Sequence, residues 1–94
     1  MHLLLIEDDA LLGDGVQAGL QAHGFSVAWV TRAADADAAL DSTAFDLVVL
    51  DLGLPDQDGL SLLARWRRQG RDEPVLVLTA RDGVEHRVTG LNAG

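Results

Sequence analysis

The amino-acid sequence predicts an α/β fold, a doubly wound parallel sheet with helices on both faces. Two observations carry that expectation. Uninterrupted apolar runs at residues 3–6, 47–50 and 75–78 alternate with segments whose apolar residues recur at helical spacing. Continuous runs of this kind are what strands covered on both faces require, and each run here stops at an acidic or hydroxyl residue. Alternation of strand and helix implies right-handed crossovers, with ligands bound beyond the carboxyl ends of the strands.

The first strand occupies 3–6 and ends in Glu7, Asp8 and Asp9, of which Asp9 is placed to cap the next helix. Leu12, Val16 and Leu20 fall four apart and give that helix its inner face, with Gly24 as a left-handed cap. Gly13, Gly15 and Gly19 weaken it by about 1 kcal/mol each relative to alanine, so packing must hold it. These glycines imitate a dinucleotide-binding fingerprint, but they lie well past the strand end where a genuine one opens its helix.

A second strand follows at 25–30 and a second helix at 33–42. Asp35 and Asp37 sit near the positive end of that helix, and Ala36, Ala39 and Leu40 form a narrow apolar stripe. Residues 45–50 are the most hydrophobic strand, suited to the sheet centre, and end at Asp51. A loop spans 52–58 with a Leu54-Pro55 break. Asp58 caps a third helix marked by Leu60, Leu63 and Trp66 and closed by Gly70.

Arg65, Arg67, Arg68 and Arg71 read as a solvated basic helix end. Trp29 and Trp66 read as packing residues, while His2, His23 and His86 lack partners at metal-ligand spacing. Residues 75–78 form a fourth strand stopping at Thr79-Ala80. Asp82 and Glu85 have capping-box spacing, so a fourth helix is expected with Val84, Val88 and Leu91 facing inward.

The composition narrows the function. A chain of 94 residues has room for one domain, spanning 1–94. Its net charge of −8 argues against direct nucleic-acid binding, which demands clustered positive charge. The absence of cysteine removes disulfides and thiolate metal sites and suits a cytoplasmic setting. The amino-terminal apolar run becomes charged at Glu7, too early for a signal peptide or a membrane span.

The strand ends carry the chemistry. Glu7 and Asp8 after the first strand, Asp51 after the third and Thr79 after the fourth should converge in one cleft. Carboxylates gathered there repel one another unless a cation neutralises them, and an oxygen-only ligand set suits Mg²⁺. Asp51 is the candidate nucleophile for a phosphoryl group, with Glu7 and Asp8 placed to hold metal. Thr79 offers a hydroxyl to the bound phosphoryl group, and small Ala80 leaves space for a backbone amide to approach.

Four stretches resemble the receiver domains of bacterial response regulators, closest to the OmpR/PhoB type. They are Leu3-Leu4-Leu5-Ile6-Glu7-Asp8-Asp9, the run from Asp46 through Asp51 to Gly59, Val75-Leu76-Val77-Leu78-Thr79-Ala80-Arg81, and Gly90-Leu91-Asn92-Ala93-Gly94. The resemblance implies a flavodoxin-like fold with strand order 2-1-3-4 and a phosphorylation-dependent signalling domain rather than an enzyme. It implies that Asp51 accepts phosphate from a sensor histidine kinase in a two-component system regulating transcription. It further implies that Glu7, Asp8, Asp51 and the Gly53 carbonyl bind Mg²⁺, and that Thr79 is the switch hydroxyl.

The family's fifth strand, with its aromatic switch residue and essential lysine, and its fifth helix have no counterpart in these 94 residues, so a truncated receiver domain is expected. On that expectation, the fourth strand would be an open edge and the first helix would lose a neighbour, favouring self-association. The alternative function is therefore a self-associating receiver fragment that does not signal. A Mg²⁺-dependent phosphatase of the haloacid-dehalogenase type fits poorly, because Gly53 stands where that family has a second aspartate.

Overall fold

The computed structural model describes residues 1–79 and 85–88. Strands β1 (His2–Ile6), β2 (Ser26–Val30), β3 (Leu47–Asp51) and β4 (Val75–Thr79) alternate with helices α1 (Ala10–Ala22), α2 (Ala33–Ser42) and α3 (Gly59–Arg68). The four strands are parallel and lie in the expected order, β2-β1-β3-β4.

A fifth strand, β5 (Glu85–Val88), pairs antiparallel with β4. This corrects the expected fourth helix, of which Glu85 and Val88 were to be part; Asp82, Val84 and Leu91 lie outside the described residues. It also corrects the expected open edge at β4. The backbone groups along that edge need partners, and Leu76 to Thr79 find them opposite residues 88 to 85. Pairing that edge outweighs the weak helical signal of a single capping-box spacing.

The alternation of side chains along each strand gives the sheet two buried faces. Leu4, Ile6, Val48, Leu50, Val75 and Val77 share a core with Ala33, Ala36 and Leu40 of α2 and Leu62, Leu63 and Trp66 of α3. Leu3, Leu5 and Val49 are buried on the opposite face. Trp29 is the register partner of Leu5, and α1 approaches so closely there that a Cβ on Gly13 would stand 2.2 Å from the Trp29 ring. Gly13 is thus the contact point of α1 rather than merely a weak helix former. Consequently Val16 and Leu20 are half-buried, while Leu12 of the expected inner face is 40 % exposed.

Both expected glycine caps form. Gly24 and Gly70 adopt φ values of 88° and 86°. In each, the following amide reaches back to close the helix, Phe25 to the Leu20 carbonyl and Arg71 to the Trp66 carbonyl. Asp9 and Asp58 cap α1 and α3 as expected. The inner face of α3 is Gly59, Leu62, Leu63 and Trp66, a spacing of three and four that leaves Leu60 54 % exposed, against expectation.

The basic run also departs from the solvated helix end that was expected. Arg65 pairs with Asp37 at 2.8 Å, Arg71 with Asp41, and Arg67 donates to the carbonyls of Arg71 and Glu73. Asp37 and Asp41 of α2 draw Arg65 and Arg71 inward and join α2 to α3 and the segment after it; Arg68 stays exposed. Among the described residues, no helix is long and apolar enough to cross a membrane.

Candidate functional site

The strand order itself builds the site. From β1 the chain crosses to β2 on one side and then to β3 on the other, so the order reverses between β1 and β3. Their parallel register places Ile6 opposite Leu50, and one residue further along each strand stand Glu7 and Asp51. The sequence reading brought these residues together on strand-end position alone, and the register does so too.

Ligand oxygens of Glu7, Asp8 and Asp51 all lie within 4.8 Å of one another. Glu7 and Asp51 are buried, whereas Asp8 is exposed at the rim. Glu7 is fixed from two sides. Its Oε2 accepts the Asp9 amide at 3.0 Å, and its carbonyl accepts the Trp29 indole N–H at 2.9 Å. Its Oε1 is enclosed and has no hydrogen-bond partner. Trp29 is therefore a packing residue with a second task, supporting the backbone of the site.

The electrostatics follow from burial and like charge. Burial pushes the Glu7 carboxyl up to about 7, the Asp9 amide opposes that, and the Asp51 and Asp8 carboxylates add to it. Asp51 is raised as well, by burial and by Asp8, against the pull of the Gly53 amide. Gly53 lies against the nucleophile candidate, where a Cβ would be 3.6 Å from Asp51 Oδ2. Three carboxylate ligands, one from Glu7, whose Oε1 is buried without a donor, fit a hard divalent cation such as Mg²⁺.

The remaining candidates divide. Thr79 ends β4, the strand beside β3, so its backbone is at the same edge of the sheet as Asp51. Its hydroxyl, and Ala80 altogether, lie outside what the structure describes. One residue of the loop after Asp51 was not singled out in the sequence: Asp56 caps α2 through the amides of Ala33 and Ala34. Asp37, noted there only for its place near the positive end of α2, accepts from both Arg65 and the Trp66 indole. No spacing rule points to Asp56, because its partners lie 22 and 23 residues away.

The comparisons with known proteins show the family. Residues 3–94 match the response regulator receiver domain. The whole chain is 53 % identical to the transcriptional regulatory protein QseB of Escherichia coli O157:H7 and 54 % identical to the response regulator protein PmrA of Pseudomonas aeruginosa. It spans 43 % and 42 % of the lengths of those proteins. Among solved structures, the HemR receiver domain of Leptospira biflexa is 39 % identical with a TM-score of 0.77, covering 87 % of this chain and 66 % of its own. The MaeR response regulator bound to beryllium trifluoride is 30 % identical with a TM-score of 0.81, covering 85 % of this chain and 67 % of its own.

Proposed function

We propose that this chain, which belongs to the response regulator receiver domain family, accepts a phosphoryl group on Asp51 while Glu7, Asp8, Asp51 and the Gly53 carbonyl hold Mg²⁺. The observation that carries this reading is the meeting of three carboxylates from separate strand ends within 4.8 Å, at the point where strand order reverses. When bound, the cation would neutralise the cluster and stabilise charge on the phosphoryl oxygens.

Each residue has a defined task. An Asp51 carboxylate oxygen attacks phosphorus in line, forming the acyl phosphate as the bond from phosphorus to the donor nitrogen breaks and the donor imidazole recovers its electron pair. Glu7, held by the Asp9 amide through Oε2, keeps Oε1 clear of donors and available to the cation, and Asp8 supplies a ligand from the solvent side. The Gly53 amide orients Asp51. The Thr79 hydroxyl and the Ala80 amide receive the phosphoryl oxygens and carry the switch.

The donor is a sensor histidine kinase, in keeping with the receiver family, the setting is the cytoplasm, and the output is regulation of transcription, the role that the name of QseB gives that protein. With β5 aside, a small phosphodonor and Mg²⁺ suffice for a test. The wild-type chain is expected to be labelled and the Asp51→Asn chain not; equal labelling of both would show that another residue is the acceptor.

Self-association is a second reading, favoured by Leu11 and Leu12, which lie side by side on α1 at 86 % and 40 % exposure. Light scattering should show a mass that rises with concentration. A monodisperse monomer throughout overturns it.

A further inference from the structure

The loop that follows Asp51 is fastened to α2 by a side chain that the acid cluster does not use. The N-cap residue of α2, Arg32, makes no side-chain cap bond, which leaves the first amides of the helix in need of acceptors. Asp56 supplies both from the loop: Oδ1 accepts the Ala33 amide at 2.8 Å and Oδ2 the Ala34 amide at 3.1 Å. Its neighbour Gln57 accepts from Arg65 Nη2 at 3.2 Å, and the same nitrogen holds Asp37 of α2 at 2.8 Å.

The loop is equally constrained at its other end. The Leu52 amide continues the ladder to the Leu78 carbonyl at 3.3 Å, and Leu54 is buried in the core. Pro55 restricts the backbone between Leu54 and Asp56. Gly53 therefore sits between a sheet hydrogen bond on one side and a helix cap on the other.

We propose that Asp56 is a positioning residue for the acidic site, which caps α2 from the loop and so keeps Gly53 against Asp51, coupling Mg²⁺ binding to the α2 N-terminus. This rests on the Mg²⁺ reading above. A loop held in place beforehand need not be ordered when the cation binds, so releasing Asp56 lowers affinity without removing a ligand. Coupling between two sites is reciprocal, so Mg²⁺ must in turn tighten the cap.

Mg²⁺ calorimetry on the wild-type, Asp56→Ala, Asp56→Asn and Asp58→Ala chains tests this, together with amide hydrogen exchange at Ala33 and Ala34. Asp58→Ala removes the cap of α3 and controls for general loss of stability. Asp56→Ala is expected to bind Mg²⁺ about tenfold more weakly, and Asp56→Asn, with one acceptor left, to fall between. Asp58→Ala should bind as wild type does. Mg²⁺ should slow exchange at Ala33 and Ala34 in the wild-type chain, which keeps the test decisive if Asp56→Ala does not fold.

Unchanged Mg²⁺ affinity in Asp56→Ala, or equal weakening in Asp56→Ala and Asp58→Ala, would reduce Asp56 to an ordinary helix cap and leave the metal reading intact. Absence of any Mg²⁺ heat in the wild-type chain overturns the metal reading and this inference with it.

Discussion

Glu7, Asp8 and Asp51 at the strand ends and Asp37 and Asp41 on α2 are both groups of acids set against buried surface, yet the fold neutralises them differently. On α2 each acid meets a partner: Asp37 accepts from Arg65 at 2.8 Å and from the Trp66 indole at 2.9 Å, and Asp41 pairs with Arg71. Burial opposes ionisation of Asp37, but those donors outweigh it and lower its proton affinity. At the strand ends the nearest charges are other carboxylates, and proton affinity rises. Paired acids join helices. Unpaired ones, held close despite repulsion, leave room for a cation that the chain does not supply.

The largest expected effect breaks the unpaired group. The double change Glu7→Gln/Asp8→Asn should abolish the heat of Mg²⁺ binding in calorimetry, since it removes two of three anionic ligands. Retained affinity would move the metal elsewhere. The corresponding change on α2 acts on stability instead. Asp37→Ala should cost about 2–3 kcal/mol in chemical denaturation, because it leaves the buried Trp66 N–H without its acceptor and takes the anionic partner from Arg65, which keeps Gln57 Oε1.

That contribution depends on pH with a fixed sign. The folded carboxyl of Asp37 lies below its ordinary value of 3.8. Its stabilisation is therefore complete above the unfolded value and drains away as pH falls through the folded one. Wild-type stability should decline at the acid end for this reason, and Asp37→Ala should flatten that limb. An unchanged acid limb in the variant would show that the pair adds nothing.

A smaller effect of opposite sense is expected at the strand ends. In the absence of divalent cation, Asp51→Asn should stabilise the chain by about 1 kcal/mol at pH 8, because it relieves the repulsion and burial of one charge. Saturating Mg²⁺ should reverse the order, stabilising wild type above the variant. Thermal melts with and without the cation distinguish the two regimes.

Much of this contrast could be read from the chain, for a physical reason. A continuous apolar run that stops at an acid or a hydroxyl residue marks a buried strand and its end in one signal, so β1, β3 and β4 and the residues Glu7, Asp8 and Asp51 were found together. The α2 acids gave no such signal, since Asp37 and Arg65 are 28 residues apart and meet only when both helices pack on one face of the sheet. Local rules misled at residues 85–88, where the capping-box spacing of Asp82 and Glu85 implied a helix but pairing to the β4 edge prevailed. Leu60 failed similarly: it is apolar at a plausible position, yet the stripe set by Gly59, Leu62, Leu63 and Trp66 turns it outward.

The smallest effect tests how far pairing alone stabilises. Asp41 and Arg71 form an ion pair, but the Asp41 side chain is 74 % exposed and that of Arg71 24 %. Water therefore screens most of the attraction, and ordering two long side chains opposes it. Arg71 also keeps other acceptors if Asp41 is lost, the Leu40 carbonyl and Glu73 Oε2, each at 3.4 Å. Asp41→Ala should accordingly cost no more than about 0.5 kcal/mol, and less in 1 M salt, where the Debye length is roughly 3 Å. A loss as large as that of Asp37→Ala would mean that the ion pair itself joins α2 to α3. A small loss assigns that task to Asp37, whose side chain is 34 % exposed against 74 % for Asp41 and which holds the Trp66 indole as well as an arginine.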